Sequence, residues 1–67
     1  MIKLWVNENA IEINNDFNIL QLLIHLNSPQ EGIAVAVNNT IISKNSWKSK
    51  TLLDADHVLI IQATQGG

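Results

Sequence analysis

The chain has 67 residues, a formal charge of −2 and 46% hydrophobic side chains, so it holds one small domain that must be stabilised by apolar packing. It has no cysteine, which excludes disulfide scaffolds and thiol nucleophiles, and no arginine among its four basic residues, which argues against a nucleic-acid surface. No apolar run approaches the roughly 18 residues that span a bilayer, and no export signal leads the chain, so a cytoplasmic location without membrane or nucleic-acid partners is expected.

Ile2, Leu4 and Val6 alternate with Lys3 and Trp5, the pattern of a half-buried strand with Trp5 turned away from the apolar side. Asn7-Glu8-Asn9 reads as a turn, and Ile11 and Ile13 resume the alternation around Glu12, which makes a β-hairpin. The period then changes. Asn18 and Gln21 have the spacing of a capping box, with Phe17 and Leu22 placed for a hydrophobic staple. Ile19, Leu22, Leu23 and Leu26 form one helical face, with Leu20 and Ile24 beside it. That wide stripe either wraps into the core or leaves an exposed edge. Pro29 ends the helix near Asn27-Ser28, and Gly32 closes the loop.

Ile33 to Val37 is apolar throughout, a strand covered on both faces or nearly so. Asn38-Asn39 is a turn, and Thr40 to Ser43 a short returning strand. Trp47 is the apolar residue in the polar stretch Lys44 to Lys50, and is expected to anchor it. Leu52 and Leu53 dip back to the core, Asp54-Ala55-Asp56 turns, and His57 to Thr64 is the final strand. Because that strand is strongly apolar, it belongs in the middle of the sheet, parallel to the first. The predicted fold is α+β: a β-grasp (ubiquitin-like) mixed sheet of about five strands with one helix on one face. The domain spans 1–64, and 65–67 is a flexible Gly-Gly tail.

Glycines stabilise nothing by packing and cost the most entropy to order, but two in a row let a narrow slot admit a terminal carboxylate. Gly67 is therefore the candidate reacting residue, with Gly66 and Gln65 as tail contacts. One helix covers one face of a sheet, so Trp5, Leu59 and Ile61 are candidates for an exposed partner-binding face; a one-residue register shift would exchange the faces. Aspartates in a turn before a polar strand residue account for Asp54, Asp56 and His57 without a metal, and His25 reads as a solvated helix residue. Lys44 and Lys48 are candidate partner contacts of small individual effect.

The chain resembles the ThiS family, the sulfur carriers of thiamine biosynthesis. The resemblance spans the whole chain and rests on the strand ending in Asn7, the helix Ile19-Leu20-Gln21-Leu22-Leu23 and the run Ala34-Val35-Ala36-Val37-Asn38. It continues through Ile41-Ile42-Ser43-Lys44 with Trp47, then Leu53-Asp54-Ala55-Asp56, to Gly66-Gly67. It implies a carrier with no catalytic site of its own and no bound cofactor. An E1-like adenylyltransferase of the ThiF type would use ATP to adenylate the Gly67 carboxylate. Sulfur from a desulfurase would replace AMP, and the resulting thiocarboxylate would donate to a thiazole synthase of the ThiG type. The small subunit of molybdopterin synthase and a ubiquitin-like protein modifier are the alternatives. Two departures stand out: Ala55 replaces the Gly usual between the two aspartates, which predicts a turn needing no positive φ, and Asn9 stands where Gly is common in the first turn.

Overall fold

The computed structural model describes residues 1–62. β1 (Ile2–Val6) and β2 (Asn9–Ile13) form the first hairpin, α1 spans Ile19–His25, and β3 (Ile33–Val37) and β4 (Thr40–Ile42) form the second hairpin. A short 3-10 turn at Lys44–Ser46 precedes β5 (His57–Gln62). The sheet order is β2-β1-β5-β3-β4, with β1 and β5 parallel and the other neighbours antiparallel. This is the expected β-grasp arrangement, with the last strand central.

Strand register sorts the side chains between two faces. Leu4, Val6, Ile13, Val35, Val37 and Val58 turn toward α1 and are buried with Ile19, Leu22, Leu23, Trp47 and Leu52 in one core. Ile24 is 58% exposed, so one edge of the helical stripe lies outside the core, while Leu20 and Leu26 pack partly against it.

Both ends of α1 are closed by identifiable bonds. The Asn18 side chain accepts from the Gln21 amide at 2.7 Å, and the Gln21 side chain accepts from the Asn18 amide at 2.9 Å. The remaining first-turn amides reach the 47–50 segment: Ile19 donates to the Lys50 carbonyl at 3.2 Å and Leu20 to that of Trp47 at 3.4 Å. A helix leaves its first amides without internal partners, so this polar segment completes the helix as well as connecting strands. Trp47 fixes the segment from within. It is 3% exposed, and its indole Nε1 donates to the Ile42 carbonyl at 3.1 Å.

The C-terminal end differs from the expectation in its cause. Asn27 adopts φ 56°, its amide bonds the Ile24 carbonyl and the Ser28 amide bonds that of Leu23. That is a Schellman closure with asparagine in the left-handed position, complete before Pro29 is reached.

Three local expectations are corrected. The first turn has two residues, not three: Asn7 and Glu8 take φ 48° and 73°, Val6 pairs with Asn9, and Asn9 already belongs to β2. Paired left-handed residues are what a two-residue hairpin of this twist requires, and Asn38-Asn39 does the same at 51° and 72°. Leu53 is 63% exposed and is no core residue; only Leu52 turns inward. Ala55 does adopt positive φ, 71°, against the expectation drawn from its side chain. The bonds around it explain why. Its amide donates to the Lys3 carbonyl at 2.7 Å, the Lys3 amide donates to Asp54 Oδ1 at 2.8 Å, and the Asp56 amide donates to the Leu53 carbonyl at 3.1 Å. The expected tail 65–67 and the last two residues of the expected final strand lie outside the described residues.

Candidate functional site: the open sheet face and the last strand

The face opposite α1 follows from the register. Trp5 pairs with His57, Leu59 with Ala36, Ala36 with Ile41, and Ile61 with Ala34. Cross-strand partners share a face, so all of these residues point away from the helix. Leu59 and Ile61 are 48% and 44% exposed and Ile41 is 63% exposed, whereas Val58 on the other face is buried. The parity left open by the sequence is thereby settled. Trp5, Leu59 and Ile61 lie on one surface across the adjacent strands β1 and β5, and the small Ala34 and Ala36 of β3 continue it toward Ile41 on β4.

Ile41 belongs to this surface and escaped the sequence reading. Its position was recoverable: a two-residue Asn38-Asn39 turn sets Val37 opposite Thr40 and hence Ala36 opposite Ile41.

Trp5 is half-buried under its own neighbours. The His57 ring stacks on it with centroids 6.0 Å apart and planes 18° apart, and Lys3 Nζ lies 5.3 Å from the ring centroid. A shallow depression bounded by Trp5, His57, Leu59 and the two hairpin turns forms one end of the face. His57 is thus part of the aromatic surface. Among the described residues, no three His, Cys, Asp or Glu side chains are grouped to hold a metal ion. Asp56 is buried for structural reasons: Oδ1 accepts from Asn38 Nδ2 and Oδ2 from the Leu53 amide, both at 2.9 Å. Trp47, in the core, contributes nothing to the face. Lys44 is paired with Glu31 at the surface, and the His25 ring sits edge-on to Phe17 at 5.9 Å.

Both hairpin turns grip β5 through asparagine side chains. Asn38 Oδ1 accepts from the His57 amide at 2.9 Å, while the Asn38 amide donates to the His57 carbonyl at 2.8 Å. On the opposite side, Asn7 Oδ1 accepts from the Ile60 amide at 2.8 Å and Asn7 Nδ2 donates to the Ile60 carbonyl at 3.3 Å. The strand that leads toward Gln65, Gly66 and Gly67 is therefore held from both flanks. Those three residues lie outside the described part of the chain.

The ThiS family model matches residues 3–67. The chain belongs to the ThiS family. It is 27% identical over 66 residues to the sulfur carrier protein ThiS of Escherichia coli (strain K12), covering 98% of this chain and 100% of that protein. The crystal structure of the thiamine biosynthesis protein ThiS from Geobacter metallireducens superposes with a TM-score of 0.87 at 25% identity, over 98% of this chain and 100% of that one. Among the described residues, no helix is long and apolar enough to cross a membrane.

Proposed function

We propose that this chain is a sulfur carrier of thiamine biosynthesis, a co-substrate whose Gly67 carboxyl group carries the sulfur. The observation that supports this most is the family match running through residue 67 of a β-grasp body whose central strand leads to that residue. A carboxylate is a poor electrophile until activated. An E1-like adenylyltransferase of the ThiF type would join it to the α-phosphate of ATP with loss of pyrophosphate. Persulfide sulfur from a desulfurase would then displace AMP to give an acyl disulfide, a thiol would reduce that to the thiocarboxylate, and a thiazole synthase of the ThiG type would take the sulfur from it. Close approach of the reacting atoms, about 3–3.5 Å, leaves little room for a Cβ beside the carboxylate, which suits Gly66-Gly67. The open face with Trp5, Ile41, Leu59 and Ile61 would seat the partner enzyme, and ATP would be bound by that enzyme and not by the carrier.

Intact mass after incubation with the activating enzyme, ATP and a sulfur donor tests the reading. A carrier gains the increment of one oxygen replaced by sulfur. Attachment of the chain to larger proteins would make it a modifier, and an unchanged mass would overturn both.

A further inference from the structure

The parallel pairing of β1 with β5 ends early. The Asn7 amide donates to the Val58 carbonyl at 3.0 Å, after which Asn7 and Glu8 turn the chain back into β2. A continued β1 would have offered its next carbonyl and amide to Ile60. The Asn7 carboxamide supplies both groups instead, Oδ1 to the Ile60 amide and Nδ2 to the Ile60 carbonyl. Among the described residues, it is the last hydrogen-bonding partner that β5 has on its β1 side. The residues on either side of Ile60 are Leu59 and Ile61, both on the open face.

We propose that Asn7 is a positioning residue of the carrier: its carboxamide prolongs the β1–β5 ladder and fixes the direction in which β5 delivers the chain toward Gly67. This rests on the carrier reading above. Aspartate keeps an acceptor but loses the donor. Glycine keeps the left-handed turn and loses both groups, so Asn7→Gly removes the clamp while sparing the hairpin.

The experiment compares the unmodified chain, Asn7→Gly, Asn7→Asp and a control, Asn27→Gly, at a temperature where all are folded. ATP–pyrophosphate exchange by the activating enzyme gives kcat and KM, and amide hydrogen exchange follows Ile60 and Val35. For Asn7→Gly the expected result is a kcat lower by about tenfold, below the roughly 100-fold associated with about 1 Å of misplacement, with KM nearly unchanged. Asn7→Asp should fall between, and Asn27→Gly should match the unmodified chain. The Ile60 amide should lose more protection than Val35 in Asn7→Gly. Unchanged kcat in Asn7→Gly, a rise in KM alone, or equal loss of protection at Ile60 and Val35 would overturn the role of Asn7. No exchange activity with the unmodified chain would instead overturn the carrier reading, and the role of Asn7 with it.

Discussion

The Ala55 amide donates to the Lys3 carbonyl at 2.7 Å while Ala55 itself is held at φ 71°, a left-handed conformation that a Cβ disfavours. The turn before β5 is thus set by its contacts to β1 and by the two flanking aspartates, and the alanine is strained into it.

Replacing Ala55 with glycine should therefore stabilise the domain. Relief of the left-handed strain is worth about 1–2 kcal/mol, offset by the about 0.4–1 kcal/mol of extra chain entropy that glycine brings to the unfolded state. The expected net gain for Ala55→Gly is up to about 1.6 kcal/mol, read as a raised urea midpoint at unchanged m-value. A lowered midpoint would mean that the turn is not strained.

Trp47 is expected to be the most sensitive position outside α1 and the strands. It is 3% exposed, bonds the Ile42 carbonyl, and holds the segment that completes the first turn of α1. Trp47→Ala should cost about 3–5 kcal/mol. A domain of this size has roughly 3–10 kcal/mol in total, so the variant should lose a third or more of its stability and melt far below the unmodified chain. Trp47→Phe keeps most of the volume and should cost clearly less. Circular dichroism melts distinguish the two, and equal melting of Trp47→Ala and the unmodified chain would refute the anchor role.

Much of this fold was legible in the sequence because period and turn chemistry are local. The alternation in Ile2–Val6, the capping box at Asn18 and Gln21, and the Asn38-Asn39 turn each act within a few residues. What was not legible depends on distant partners. Nothing near Asn7 reveals that its side chain serves Ile60, 53 positions away. Ala55 likewise looks unsuited to positive φ until Lys3 is placed beside it. Leu53 next to Leu52 shows the limit of reading adjacent apolar residues, since an extended chain sends consecutive side chains to opposite sides.

The two faces of β5 should respond oppositely to a charge. Leu59→Glu and Ile61→Glu place a carboxylate on a half-exposed surface and should change stability by less than about 1 kcal/mol. Val58→Glu buries an unpaired carboxylate in the core and should unfold the domain. If the open face seats the activating enzyme, the first two variants should remain folded by near-ultraviolet circular dichroism yet raise KM in ATP–pyrophosphate exchange. Unfolding by Leu59→Glu and Ile61→Glu would show that the face is core. Unchanged KM in both would place the docking surface elsewhere.

The last prediction concerns residues 65–67, which are outside the described part of the chain and are argued from sequence. The described core is complete without them, so deleting Gly66 and Gly67 should alter stability by less than about 0.5 kcal/mol while abolishing adenylation. Gln65 is long and polar where the next two positions are bare, which suggests an enzyme slot that narrows only over Gly66-Gly67. Gly67→Ala should then cost about 100-fold in activation rate if the added methyl displaces the carboxylate by about 1 Å, whereas Gln65→Ala should cost little. Appending one residue after Gly67 turns its carboxylate into an amide and should remove activity altogether. ATP–pyrophosphate exchange reads all of these variants. Full exchange by the extended chain would refute Gly67 as the reacting residue. A loss with Gln65→Ala equal to that of Gly67→Ala would show that the slot is already narrow at position 65.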